Sequence, residues 1–152
     1  MNSTTTVTTE LPVFVYGTLR NGEHNYDWAL AGRTTNEQPA TLADTIMYSA
    51  GGFPYCTPNT DPTTNHSVVG ELMTIHPDKY TETLNGLDRL EGYDADDDDN
   101  HYDRVIIDVT LADGTTVTAY TYLVGTRYDN GLNRLPVVPN GDWLAYDNPR
   151  FR

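Results

Sequence analysis

In the stretch PDKYTETLNGLDRLEGY, residues 77–93, Tyr80, Leu84, Leu87 and Glu91 are spaced by four, three and four positions. At roughly 100° per residue, all four fall within about 60° of one another on a helix. An apolar stripe of this kind turns toward a core, and Glu91 turns with it. Burial disfavours the ionised carboxyl, and a helix C-terminus gives an anion no help. Both effects suit a group that exchanges a proton near neutral pH. If the helix frays before Gly92, Glu91 points to water instead, and periodicity alone leaves both orientations open.

A second candidate is Val15-Tyr16-Gly17-Thr18-Leu19-Arg20. An apolar strand ends there in a glycine turn, which brings backbone N–H groups out of pairing. Such a turn can bind a carboxylate or an oxyanion, and the Thr18 hydroxyl adds a donor. An ordinary strand-ending turn has the same sequence, and no GxxxxGK[ST] motif is present to suggest nucleotide phosphates.

The elements that must position these groups are mostly strands. Residues 11–16 form a continuous apolar run, a buried strand. A helix-like patch covers residues 24–30 and is closed by Gly32. Residues 40–48 read as a strand, Gly51-Gly52-Phe53-Pro54 as a break, and 57–66 as turn chemistry. Residues 68–75 are a strand stopped by Pro77. Residues 77–90 are the strongest helix, with Pro where its missing N–H is harmless. An acidic loop spans 93–101. Strands at 105–111 and 116–124 flank the Asp113-Gly114 hairpin turn. The last thirty residues read as a wrapping tail. This order predicts an α+β fold, a small barrel or strongly curved mixed sheet with a helix beside it. Residues 1–10 are expected to be a disordered leader, and 11–152 a single domain.

Composition narrows the function classes. A chain of 152 residues can bury a core and a pocket without disulfides or metals. Its net charge of −13 repels phosphate backbones, so nucleic acid is not expected as a partner. Cys56 is the single cysteine, which excludes an intrachain disulfide. No stretch has the length and apolarity of a membrane span, and a cytoplasmic monomer or weak dimer is the expectation. His24, His66, His76 and His101 lack metal-ligand spacing, so neither a metal nor another cofactor is expected. The run Asp94–Asp99 lacks the central Gly of a calcium loop and has Val105 where Glu is required, which favours a solvated acidic loop. Arg104 and Tyr128 are candidate pocket residues, Arg104 being equally suited to pairing with a carboxylate near the pocket and to a surface pairing with the acidic loop. Tyr48 and Tyr55 are further candidates for the pocket wall.

Taken in order, the motifs form one frame. VFVYGTLRNGEHN is followed by Gly52-Phe53-Pro54, Val69-Gly70-Glu71-Leu72, Leu87-Asp88-Arg89-Leu90-Glu91-Gly92 and Tyr102-Asp103-Arg104. This series resembles the γ-glutamylcyclotransferase-like (AIG2-like) superfamily from about residue 12 to the C-terminus. YGTLRNG and the ending Tyr146-Asp147-Asn148-Pro149-Arg150 look most like its γ-glutamylamine cyclotransferase branch. The resemblance implies a small mixed β-barrel with flanking helices and a substrate pocket beside the YGTL loop. It implies Glu91 as the catalytic carboxylate and Tyr16, Gly17, Thr18 and Leu19 as substrate-binding residues. The acidic insertion at residues 94–100 departs from the better-known members.

The implied chemistry needs few parts. In a γ-glutamyl amide, the α-amine attacks the γ-carbonyl, closes a five-membered ring and releases 5-oxoproline and an amine. The nucleophile belongs to the substrate, and its proximity already favours attack. One carboxylate can take the proton of the α-ammonium and later give it to the leaving amine. The loop amides would hold either the oxyanion or the substrate α-carboxylate. Two other classes compete: a small-ligand-binding protein that reuses the pocket, and an interaction protein whose acidic face covers a basic partner.

Overall fold

The structure, a computed structural model, describes residues 10–23, 25–97, 99–125 and 131–146. The expected leader apart from Glu10, His24, Tyr128 and residues 147–150 of the terminal motif lie outside the described residues. In chain order the elements are β1 (Val13–Val15), the one-turn helix α1 (Tyr26–Ala29), β2 (Thr34–Ala43), β3 (Thr45–Ser49), β4 (Pro54–Pro58), β5 (Ser67–Ile75), helix α2 (Tyr80–Glu91), β6 (Tyr102–Leu111) and β7 (Thr116–Val124). Five strands close a barrel in the order β1-β5-β2-β6-β7, while β3 and β4 form a separate two-stranded sheet. The barrel pairs are antiparallel except β1 with β7, which is parallel and closes the ring. This is the small mixed barrel with flanking helices that the sequence implied. Among the described residues, no helix is long and apolar enough to cross a membrane.

β1 is apolar at every position because both of its faces are covered. Val13 and Val15 join one core cluster, and Phe14 joins the other. Successive side chains of a strand point to opposite faces, so VFV serves two cores at once. Helix α2 packs on the Val13–Val15 side through Tyr80, Leu84, Leu87 and Leu90. Leu87 is fully buried, which contributes about 1.5–3 kcal/mol.

The helix runs to Glu91, which lies in its last turn. A 3₁₀ turn over Pro77–Lys79 leads into it, and the His76 ring accepts the Asp78 N–H at its start. Gly92 ends it at φ 68°, a conformation that glycine adopts without a Cβ penalty. The Gly92 N–H reaches the Arg89 carbonyl at 3.2 Å and the Tyr93 N–H reaches the Asp88 carbonyl at 2.8 Å. The last turn is therefore capped rather than frayed, and Glu91 stays on the inward stripe.

Several boundaries differ from the sequence reading, and β2 already begins at Thr34 rather than Ala40. The strand expected at residues 40–48 is two strands, because Asp44 sits at φ 54° and turns the chain out of the barrel. Residues 54–58, read as a break and the start of a turn, form β4, which pairs with β3 alone. Proline is compatible with such an edge strand. β6 begins at Tyr102 rather than Val105, paired with Val124 of β7.

Candidate active site

The β1–β5 register sets Glu71 opposite Val15, at the point where β1 enters the loop Tyr16-Gly17-Thr18-Leu19-Arg20. Glu71 fastens that loop. Its carboxylate accepts from Arg20 Nε at 3.1 Å and from the Asn21 N–H at 2.8 Å. Arg20 Nη1 also reaches Asp142 Oδ1 at 3.1 Å. Within the loop, the Arg20 N–H donates to the Gly17 carbonyl and the Asn25 N–H to the Thr18 carbonyl. Asn25 Nδ2 donates to Thr18 Oγ1 at 2.8 Å, which leaves the Thr18 hydroxyl its own hydrogen to give.

Gly17 is required by space. A Cβ there would lie 2.7 Å from Pro54 Cγ and 2.8 Å from Pro54 Cδ. The Gly17 and Gly52-Phe53-Pro54 motifs are thus two sides of one contact. Gly17→Ala is expected to lower stability by about 1–3 kcal/mol, measured by urea denaturation. A loss within the error of that measurement would show slack between the loop and Pro54.

The loop, the end of α2 and the β6–β7 edge enclose a cavity of about 210 Å³. Tyr16, Gly17, Thr18 and Leu19 line one side. Glu91 projects from the end of α2, Gly52-Phe53-Pro54 form a further part of the wall, and His101, Tyr102 and Tyr122 line it as well. Burial pushes the Glu91 carboxyl up to about 7. Burial likewise drives the Tyr16, Tyr102 and Tyr122 phenols well above their ordinary range, with Glu91 adding to each shift. These three phenols are neutral donors at physiological pH. Tyr16 gives its hydrogen to the Tyr122 carbonyl and Tyr102 to the Pro54 carbonyl.

The loop residues and Glu91, separated by some seventy positions in sequence, meet at this cavity. Arg104 does not line it. The guanidinium lies 2.6 Å from Asp88 Oδ2, so its partner is a carboxylate of α2 rather than of the acidic loop. Tyr48 and Tyr55 are also absent from the lining, though the Tyr55 hydroxyl sits 2.6 Å from His101 Nε2, directly behind it. The acidic loop is tied down by Asn100, whose Nδ2 donates to the Asp94 and Asp97 carbonyls and to Asp103 Oδ1. Among the described residues, no three His, Cys, Asp or Glu side chains gather as metal ligands.

Sequence reasoning missed Asn25, His101 and Tyr122 as lining residues. Tyr102 was available from the Tyr-Asp-Arg motif. Tyr122 had a weaker signal, a Tyr on the inward register of a strand. His101 had none, because its place depends on how the acidic loop folds back.

Three comparisons bear on this geometry. The family model described as γ-glutamyl cyclotransferase, AIG2-like matches residues 13–145. The γ-L-glutamyl-butirosin B γ-glutamyl cyclotransferase of Niallia circulans is 31% identical over 135 residues, covering 88% of this chain and 76% of that one. An AIG2-like protein from Mus musculus has a similar fold, with a TM-score of 0.63 over 93% of this chain and 98% of that one at 21% identity. A solution structure from Arabidopsis thaliana gives a TM-score of 0.57 at 25% identity, over 80% and 73% of the two chains.

Proposed function

The chain belongs to the γ-glutamyl cyclotransferase, AIG2-like family, and from that membership we propose that it converts a γ-glutamylamine into 5-oxoproline and a free amine. The observation that carries this reading is the meeting of Glu91, with its carboxyl near 7, and the Tyr16–Leu19 loop on one cavity.

At neutral pH the substrate α-amine is mostly an ammonium. Glu91 in its ionised form removes one proton from it. The freed nitrogen attacks the γ-carbonyl carbon, forming the ring C–N bond and placing negative charge on the carbonyl oxygen. As the bond to the leaving nitrogen breaks, that nitrogen takes the proton from Glu91. The ring nitrogen, which carries a positive charge after attack, gives its second proton to the carboxylate so regenerated, from which it passes to the released amine as that amine leaves as an ammonium. A carboxyl near 7 gives and takes a proton at this pH with little bias toward either state. The loop amides and the Thr18 hydroxyl supply donors for an anionic oxygen of the substrate. The neutral phenols of Tyr16 and Tyr102 line the site without adding charge.

The net charge of −13 favours an amine leaving group over a peptide one. γ-Glutamyl-alanine carries two carboxylates against one ammonium, a net negative charge that this surface repels. The free α-ammonium of γ-glutamyl-ε-lysine instead balances its second carboxylate, and the free amine of a γ-glutamyl diamine leaves a net positive charge. The test is a panel of γ-glutamyl-ε-lysine, a γ-glutamyl diamine and γ-glutamyl-alanine, with 5-oxoproline quantified by chromatography. Turnover is expected for the first two and little for the third. Tight binding without 5-oxoproline across the panel would instead make the chain a ligand-binding protein.

A further inference from the structure

Helix α2 carries a second carboxylate, Asp88, one turn before Glu91. Both of its oxygens are engaged: Oδ2 lies 2.6 Å from Arg104 Nη1, and Oδ1 accepts from the Tyr122 hydroxyl at 2.6 Å. The Arg104 guanidinium also lies over two rings, 4.6 Å from the centroid of Tyr120 and 5.3 Å from that of Tyr93. Tyr122 lines the cavity, and its backbone carbonyl accepts the hydroxyl of Tyr16, the first residue of the binding loop. One continuous set of contacts thus joins α2, β6, β7 and the loop.

We propose that Asp88 and Arg104 are a positioning pair for the cavity: Asp88 anchors Tyr122 at the wall, and Arg104 cancels the Asp88 charge that would otherwise act on Glu91. The inference rests on Glu91 as the proton carrier and adds the residues that set the conditions under which it works. Residues three apart on a helix are neighbours, with Cβ atoms roughly 5–6 Å apart. At an effective dielectric of about 20, an uncancelled unit charge at that distance displaces a titration by about two pH units, and by less where the carboxylates stand further apart than the Cβ atoms.

The other groups facing Glu91 are the phenols of Tyr16, Tyr102 and Tyr122 and the His101 ring, which backs onto Gly92. Cys56 and Tyr55 of β4 stand behind Tyr16 and Tyr102. Burial keeps the three phenols and the Cys56 thiol protonated at neutral pH. Asp88 and Arg104 are fixed opposite charges on the α2 side of the site, as Arg20 and Glu71 are on the loop side, and their effects on Glu91 have opposite sign.

That opposition supplies the test. The Glu91 carboxyl is followed by ¹³C NMR titration of labelled protein, its signal identified by loss in Glu91→Gln. Arg104→Met leaves Asp88 uncancelled and is expected to move the titration up by about one pH unit. Asp88→Asn leaves Arg104 unpaired and is expected to move it down. The double variant, Asp88→Asn with Arg104→Met, is expected to return close to the wild-type value, and Arg104→Lys to stay there. Arg104→Gln takes the place of Arg104→Met if the latter does not fold by circular dichroism. Shifts of the same sign in the two single variants, or no shift in either, overturn the proposal. The titration needs no substrate, so it separates the two readings. Expected shifts in a protein that releases no 5-oxoproline leave the pair standing and remove the activity; turnover without shifts does the reverse.

Discussion

Glu91→Gln is expected to lower 5-oxoproline release by about a thousandfold while leaving the fold and substrate binding largely intact. The amide has nearly the shape of the carboxyl but cannot accept a proton from an ammonium. Positioned proton transfer contributes about 10²–10⁴-fold, and here one group performs both transfers. The loop and cavity remain, so the loss is expected in kcat with KM changed little. The wild-type enzyme carries a matching pH signature. Glu91 must start ionised, so kcat/KM is expected to rise with pH through about 7, where its carboxyl titrates. Initial rates of 5-oxoproline release for both forms from pH 5.5 to 8.5 check the two expectations together. A variant within tenfold of wild type would remove Glu91 from the mechanism.

The features that were legible in the sequence depend on short-range rules. The spacing of Tyr80, Leu84, Leu87 and Glu91 is a property of one helix, and it predicted the inward stripe that the structure shows, with Tyr80 and Leu87 buried and Leu84 and Glu91 half-buried. It left Glu91 ambiguous because the end of a helix is decided by its cap. Gly92, in the left-handed conformation, removes the ambiguity by holding the last turn closed. β1 was legible for a similar reason, since a run of apolar residues with no alternation requires cover on both faces. What was not legible depends on partners distant in the chain. β4 contains two prolines and a tyrosine beside a cysteine, a weak strand signal that becomes a strand by pairing with β3. Asp44 divides β2 from β3 through a single positive φ that nothing around it in the sequence demands. Arg104 was open to two pairings, with a carboxylate near the pocket or with the acidic loop, and the structure gives it the first in Asp88, which also holds the cavity residue Tyr122. That pairing depends on where α2 crosses β6, which no local pattern encodes. Gly17 lies between these cases. Its motif was visible at once, but the reason for it, the Pro54 ring, comes from a segment that the sequence presented as a break.

The same substitution that removes turnover is expected to stabilise the protein at alkaline pH. Glu91 titrates near 7 when folded, against about 4.5 for an ordinary glutamate. Its folded value is raised, so its contribution to stability is fully present below about 4.5 and is lost as pH rises through 7. Across that window the folded chain holds a proton that the unfolded chain has released, and unfolding becomes easier with each pH increment. A difference of about 2.5 units corresponds to up to about 3 kcal/mol at pH 8. Residual exposure of Glu91 to the cavity reduces that figure. Glutamine has no such transition. Urea denaturation of wild type and Glu91→Gln at pH 4 and pH 8 is therefore expected to show the variant gaining on wild type between the two pH values. Groups elsewhere in this acidic chain titrate in both proteins and cancel in the comparison. Equal pH dependence would mean that Glu91 is hydrated in the folded chain and lacks the raised protonation range on which its proton transfer depends. A gain in alkaline stability together with lost turnover would tie both to one buried carboxylate, kept at the end of α2 although a neutral residue folds better there.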